Sequence, residues 1–381
     1  MPAMLWLSLP RRIWLGAMLL ALSICGNAWA GSVIDTWRDE AAAIRILAEN
    51  DAPAAYKKAQ HLQSTIPPQA TLNDQALTLN LLARIETYLA LTDAAATHAQ
   101  QAYTLAKQHA DKVGMAEADL NISLNAINQG KLEVMTAAII DSLEMLDGVD
   151  RPDLLGEAML RASMMYQRQG LLDDAVTTSL QAMDIAKRSN NPLALAYAYH
   201  GRAHALNQSG REKEAVNHFI KMREQAHAAN MLRIEADSLL GYGLVTGVDL
   251  VHGEQLIREA NAMYRKIDIP FSVAFSLIAL AANQDKQGLT ADSILTLDEV
   301  ISIFEKYPNK IGMWWGLSMR SQYAQSLKRT DTARTDAEHA YTLALTIGFS
   351  KYISESAGRL ADLAADDGNY KRAYQLLSEA D

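Results

Sequence analysis

A small residue recurs about every forty positions from residue 55 to the end of the chain. Eight of its nine occupants are alanine, glycine or serine, and all steps are forty residues except one of thirty-eight: Ala55, Ala95, Met135, Ala175, Ala215, Gly253, Ser293, Ala333 and Ala373. Such a period is typical of repeat arrays, in which each unit packs only on its neighbours. A chain of 381 residues therefore need not divide into the two or three compact domains that its length alone suggests.

Each unit is predicted to be a helix, a short turn and an antiparallel helix. Hydrophobic residues make up 49% of the chain, and only nine prolines interrupt it, which favours an all-α fold. Where two helices cross closely, a side chain larger than a methyl group would push the backbones apart. A looser contact on the same face is expected seven residues later, at Leu62, Ala102, Ser142, Ala182, Met222, Ala260, Val300, Ala340 and Ala380.

Glycines and prolines mark the predicted helix ends. A glycine stands five residues before the small position in five units, where it suits the left-handed conformation that ends many helices: Gly130, Gly170, Gly210, Gly288 and Gly368. Pro152, Pro192 and Pro270 fall near the predicted starts of first helices, where proline costs least.

This arrangement resembles the tetratricopeptide repeat (TPR). In that family a glycine ends the first helix, an alanine opens the second, and another small residue follows seven positions later. The resemblance covers residues 31–381 and implies a right-handed α-solenoid of about nine TPR-like helical hairpins. The usual TPR unit has about 34 residues, so longer second helices would be needed here. HEAT-type repeats, which run near forty residues, are the structural alternative.

Residues 1–30 are predicted to be a signal peptide. Arg11 and Arg12 precede an apolar stretch over residues 13–25, and Ala28-Trp29-Ala30 supplies the small residues of a cleavage site. We expect cleavage after Ala30 and a periplasmic mature protein. An uncleaved signal anchor is the alternative, and only then would the chain contact a membrane.

Cys25 is the only cysteine and lies within the predicted signal peptide. The sequence preceding it resembles a lipobox, but bulky Ile24 stands where a small residue is needed. Without Cys25, thiol catalysis, cysteine-ligated zinc and iron–sulfur clusters are excluded from the mature chain. Removing Arg11 and Arg12 leaves a net charge of 33 − 44 = −11. Nucleic acid and anionic lipid are therefore poor partners.

The TPR resemblance implies that fixed positions on each first helix line a concave groove. Transferring those positions gives a series rich in side chains that anchor partners and form adaptable hydrogen bonds. Several of its aromatic members could instead fill the interfaces between repeats. The predicted groove residues are Asn80, Arg84, Tyr88, Asn128, Gln167, Arg168, Tyr197, His200, His204, Asn207, Tyr242, Trp315 and Gln322, with Gln208, Ser238, Phe275, Asp285, Lys286 and Gln325 as further positions.

No motif indicates catalysis or a cofactor. The sequence has no phosphate-binding glycine loop and no Gly-x-Ser-x-Gly elbow. His200 and His204 lie one helical turn apart and could share a metal, but no third ligand follows from the sequence. The alternative is a partner-facing or solvated pair. We therefore expect a non-enzyme without metal or cofactor.

The leading functional hypothesis is an exported interaction or sensing module that binds a peptide or protein segment in its groove. A signal peptide followed by forty-residue TPR units resembles the extracytoplasmic sensor region of bacterial GGDEF diguanylate cyclases and sensor histidine kinases. The chain ends within a predicted second helix at Asp381, so a second hypothesis is a truncated or detached input region of such a receptor. Any cyclase or kinase activity would then lie in a domain absent from this chain. An exported hydrolase is the third.

Overall fold

The computed structural model describes residues 33–380, with side chains to residue 378, and the predicted signal peptide lies outside that range. Within it the chain forms eighteen helices and no strand. In chain order the helices are α1 (33–48), α2 (Ala52–Ser64), α3 (Leu72–Tyr88), α4 (Thr92–Gln108), α5 (Lys112–Asn128), α6 (Leu132–Leu146), α7 (Pro152–Arg168), α8 (Leu172–Ser189), α9 (Pro192–Gln208), α10 (Glu212–Ala228), α11 (Leu232–Gly243), α12 (Leu250–Ile267), α13 (Pro270–Lys286), α14 (Thr290–Lys306), α15 (Lys310–Ser326), α16 (Thr330–Ile347), α17 (Ser350–Asp366) and α18 (Tyr370–Ala380).

The helices form nine antiparallel hairpins, each an odd-numbered helix followed by an even-numbered one. The nine small positions lie on the even helices, and all nine are buried. The positions seven residues later are buried from Leu62 to Ala340, and the side chain of Ala380 lies outside the described range. The all-α solenoid predicted from the repeat is confirmed.

A second series of small residues, which the sequence reasoning missed, completes each close crossing. It lies on the odd helices of the second to ninth hairpins, twelve residues before the first series except in the sixth hairpin, where the interval is ten. Its members are buried: Ala83, Ser123, Ser163, Ala203, Gly243, Ala281, Ser321 and Ala361. Two of its serines show how near the backbones come. The Ser163 hydroxyl donates to the carbonyl of Ala175 at 3.1 Å, and that of Ser321 to the carbonyl of Ala333 at 2.7 Å.

The sixth hairpin explains the single short step in the repeat. Helix α11 has only 12 residues, and a longer turn leads from it into α12. The two helices cross at Gly243 and Gly253, and a Cβ atom added to Gly243 would lie 2.8 Å from the carbonyl oxygen of Gly253. Only glycine fits this crossing, because a methyl group there would overlap the backbone.

Helix ends follow from local chemistry. Pro152, Pro192 and Pro270 each occupy the first turn of a helix, as predicted. The five loop glycines have positive φ between 72° and 80°. Ala90 and Lys328 adopt φ of 60° and 57° at equivalent turns that lack glycine. The turn conformation is therefore imposed by hairpin packing and is kept where glycine is absent.

The array coils so that residues about 180 positions apart touch. Asn50 donates from Nδ2 to the carbonyl of Asn230 at 2.8 Å, and Asn309 donates from Nδ2 to Oδ1 of Asn128 at 3.3 Å. One turn of the superhelix thus takes about four and a half hairpins, and the next turn packs directly on it.

Asp119 on α5 gives the fold a pH-dependent weakness. Its carboxyl group is buried, one oxygen lacks a hydrogen-bond partner, and burial together with nearby Asp141 raises its pKa to about 7. Because the folded state holds this proton more tightly than the unfolded chain, stability should fall as pH rises from about 4 to about 7. We expect Asp119→Asn to raise the free energy of unfolding by about 2 to 4 kcal/mol at pH 8. This difference in the free energy of unfolding between Asp119→Asn and wild type should shrink toward pH 4.

Urea denaturation of the two proteins between pH 4 and pH 8 measures this effect. Asp184→Asn is the matched control, since Asp184 forms an exposed ion pair with Arg188. It should change stability by less than about 0.5 kcal/mol. Parallel pH profiles for wild type and Asp119→Asn would contradict the assignment.

Candidate functional site

A large cavity lies between two successive turns of the superhelix. This inter-turn cavity has a volume of about 820 Å³ and is bounded by α5, α6 and α7 on one side and by α13, α15 and α17 on the other. Its walls are mainly apolar and include Ile127, Ile140, Phe275, Ile311 and Trp315. Trp315 and Ile140 are 39% and 51% exposed, and both line the cavity. Exposed apolar side chains that line a concave space are typical of a binding site.

A smaller cavity of about 200 Å³, the inner cavity, adjoins it. The two share four lining residues, Ile127, Met135, Met165 and Arg168. The inner cavity is lined chiefly by odd-numbered helices from α3 to α11 and carries most of the charge. The site thus consists of two adjoining cavities, one mainly apolar and one charged.

Glu157 organises the charges on one side of the inner cavity. Arg84 on α3 donates from Nη1 to Glu157 Oε1 at 2.7 Å, and Arg161 on α7 pairs with the same carboxylate. Arg84 also donates from Nε to Asn121 on α5 at 2.7 Å. The two guanidinium groups overcome the effect of burial and lower the pKa of Glu157 to about 2. The cluster is permanently charged and ties three odd helices together.

A second cluster joins the first superhelical turn to the next. Arg233 on α11 donates to Glu49 at 2.6 Å and to Asp237 at 2.8 Å, although Glu49 lies 184 residues earlier. The Tyr88 hydroxyl donates to Glu49 at 2.7 Å, and that of Tyr264 to Asp237 at 2.6 Å. Burial is the main cause that raises the pKa of Tyr88 to about 12, so it remains a neutral donor. This cluster fixes the relation between the two turns at one end of the inner cavity.

Arg168, at the end of α7, differs from these arginines. It lines both cavities and has no carboxylate or hydrogen-bond acceptor within bonding distance in the described part of the chain. Its side chain is exposed and lines the space where the two cavities meet. The site therefore presents one uncompensated cation at the junction of its apolar and charged parts.

Comparisons with known proteins find relatives in structure alone. No family model matches the chain, and no curated protein matches its sequence. The structure of a Rap protein complexed with Competence and Sporulation Factor matches with a TM-score of 0.64 at 12% identity, covering 92% of this chain and 98% of that one. The Rap conjugation gene regulator of the plasmid pLS20, in complex with the Phr* peptide, gives 0.54 at 13% identity and covers 92% and 94%.

A third similar structure is a signal transduction ATPase (STAND) protein with a tetratricopeptide repeat sensor from Pyrococcus horikoshii. Its TM-score is 0.53 at 14% identity, and the match covers 86% of this chain and 52% of that one. The helical hairpins, the small residues at their crossings and the similarity to these structures all indicate the same fold. The chain is a TPR-like helical repeat protein.

The TPR-like array brings eight of the predicted groove residues to the two cavities. Asn128, Arg168, Phe275 and Trp315 line the inter-turn cavity, and Arg84, Tyr88, Tyr197 and His200 join Arg168 around the inner one. Gln322 lies with Trp315 in a separate cavity of about 250 Å³.

Other predicted groove residues contact neighbouring groups of the TPR-like array. Asn80 is fully buried and donates to the carbonyl of Gly114 at 3.0 Å, so it holds α3 to α5. Gln167 donates to Ser163, one turn earlier on the same helix, at 3.4 Å. The Tyr242 ring packs on His252, with 5.8 Å between ring centroids. The transferred register placed these side chains on the inner face. In the structure Asn80 joins two hairpins, Gln167 bonds within its own helix and Tyr242 packs within its own hairpin.

The His200/His204 pair is also enclosed. The ring centroids lie 4.9 Å apart, and His204 meets the Phe219 ring edge at 5.3 Å. Burial lowers the pKa of His200 to about 4 and that of His204 to about 3, so both are neutral at physiological pH. Asn207, on the same helix, has a buried amide oxygen without a partner. Residues 33–378 contain no group of three or more side chains placed to hold a metal ion.

Several residues of the site were missed by the sequence reasoning. Glu157, Arg161 and Arg233 lie on odd helices, and Thr136 and Ile140 come from α6. A prediction confined to first helices cannot find a wall made by a second helix. The inter-turn contacts depend on superhelical pitch, which the sequence of single units does not reveal.

No helix among residues 33–380 has both the length and the apolar character needed to cross a bilayer.

Proposed function

We propose that this protein binds a peptide, or an extended segment of a protein, in the space between its superhelical turns. The observation that carries the proposal is the pair of adjoining cavities, which offers about 820 Å³ of mainly apolar space beside a charged inner part. An extended segment presents apolar side chains and backbone hydrogen-bonding groups together, and the two parts of the site suit these respectively.

Two of the similar structures support this interpretation. One Rap protein is complexed with Competence and Sporulation Factor, and the Rap regulator of pLS20 is in complex with the Phr* peptide. At 12% and 13% identity these likenesses concern the fold, so the identity of the ligand has to come from the residues of this chain.

We further propose that binding occurs in the periplasm as the input step of a signalling system. The basic, apolar and small-residue segments at residues 11–30 support export. Sensing is supported by the position of the inter-turn cavity, because a ligand bound there contacts both turns and can favour one spacing of them over another.

Filling the inter-turn cavity should abolish binding. Ala137 on α6 lines this cavity and is exposed within it, so Ala137→Trp adds an indole ring to the site without entering the buried core. Peptides recovered with the purified protein from a periplasmic peptide extract would be identified by mass spectrometry, synthesised and titrated by calorimetry. We expect the variant to bind them at least about tenfold more weakly.

The matched control is Ala262→Trp. Ala262 is exposed on α12 and lies outside the walls of the cavities described above. It should bind as wild type does. Recovery of no peptide, or equal affinity of both tryptophan variants for the recovered peptides, would refute the proposed function.

A further inference from the structure

The inter-turn cavity combines an apolar body with one unpaired cation at its end. Three charged residues line it, Glu133, Arg168 and Lys351, and all three are exposed. Lys351 lies near Glu355, whereas Arg168 lies where this cavity meets the inner one and lacks a carboxylate partner among the described residues. A guanidinium without a partner can donate paired hydrogen bonds to a bound anion.

The charge around Arg168 is positive, although the whole chain carries a net charge of −9. The inner cavity is lined by four arginines, Arg84, Arg161, Arg168 and Arg233, but by only two carboxylates, Glu157 and Asp237. Both carboxylates are already engaged by arginines other than Arg168. An anion entering this space meets complementary charge, whereas a cation would meet repulsion.

We infer that the ligand of this site is an apolar molecule that ends in a single carboxylate, with the apolar part in the inter-turn cavity and the carboxylate bound to Arg168. This inference rests on the proposed function and names the chemistry its ligand would need. A planar carboxylate can accept two parallel N–H donors from one guanidinium. One negative charge balances the one unpaired cation, whereas a phosphate dianion would leave an excess charge in an apolar space.

Two sources offer this chemistry, the C-terminus of an apolar peptide and a free long-chain carboxylic acid. The test titrates the protein with dodecanoate, with dodecanol, and with an acetylated apolar pentapeptide carrying either a free or an amidated C-terminus. Calorimetry at pH 7.5 gives each affinity. We expect an acid to bind about 10- to 100-fold more tightly than its neutral counterpart, as for a charge-assisted hydrogen bond.

Substitution of Arg168 should remove this preference without removing apolar binding. In Arg168→Met the acid and its neutral counterpart should bind within about twofold of each other. Arg168→Lys retains a cation and should keep a reduced preference. The control Arg188→Met removes an exposed arginine that pairs with Asp184 on α8, and it should behave as wild type.

The outcomes separate this inference from the proposed function. Equal binding of the free and amidated peptide overturns the carboxylate anchor while leaving peptide binding intact. A preference for acids that survives in Arg168→Met also overturns it. Arg168-dependent binding of dodecanoate, with neither peptide bound, supports the anchor and counts against a peptide ligand. If neither acid binds, the inference fails.

Discussion

Replacing Glu157 with glutamine should lower the free energy of unfolding by about 3 to 5 kcal/mol. Glu157 is 5% exposed and accepts from Arg84 and Arg161, so the neutral amide would leave two buried guanidinium groups without a counter-charge. The loss should be centred on α3, α5 and α7, which this cluster ties together. Urea denaturation gives its size, and amide hydrogen exchange gives its location.

The control for this substitution is Glu259→Gln. Glu259 pairs with Arg223 at 3.0 Å, but both side chains are about half exposed, so the change should cost less than about 0.5 kcal/mol. The double variant Arg84→Met/Glu157→Met removes charge from both sides and should recover part of the lost stability. Similar urea midpoints for wild type and Glu157→Gln would show that the cluster does not hold the odd helices.

Enlarging a small residue at a helix crossing should have the second-largest effect. Ala215 on α10 is fully buried against α9 in a cluster that contains Ala203, Leu206 and Phe219. Leucine would add three carbon atoms where no space exists, and we expect Ala215→Leu to cost about 3 kcal/mol. Thermal unfolding followed by circular dichroism would register the loss as a lower midpoint.

Ala291→Leu tests whether a larger side chain lowers stability at any position of an even helix or only at a crossing. Ala291 lies on α14, an even helix like α10, but its side chain is exposed. Leucine there should change stability by less than about 0.5 kcal/mol, because helix propensity differs little between alanine and leucine. If both leucine variants unfolded at the same temperature, the crossings would not require small side chains.

The fold could be predicted from the sequence because the residues that determine it recur in each unit. Ala175, Ala215 and Ala333 recur at equivalent places, and the constraint on each is local, since two backbones must approach within the same hairpin. The turn positions and the all-α class follow from that spacing. The series from Ala83 to Ala361 has the same spacing, so the period of the sequence contains the signal for both sides of each crossing.

The site could be predicted only in part, because it depends on contacts between hairpins that are far apart in sequence. Arg84, Arg168 and Trp315 were assigned to the inner face, and they line the cavities. Asn80 was assigned there too, but it is buried against α5, since the register of one helix face cannot distinguish the inner surface from the hairpin interface. Ile140, on a second helix, faces the cavity only because the following turn folds over it.

Repeat proteins are usually modular, and hairpins can be removed from them while the remaining units keep their local packing. The coil described here limits that freedom. The two sides of the inter-turn cavity are contributed by α5–α7 and by α13–α17, and the hairpins between them set how far the chain rotates before it returns. Deleting α9 and α10, for example, would leave every remaining hairpin intact but bring different residues opposite α6. Binding in this protein is therefore a property of the complete coil, and the number of units is as much a part of the site as the side chains.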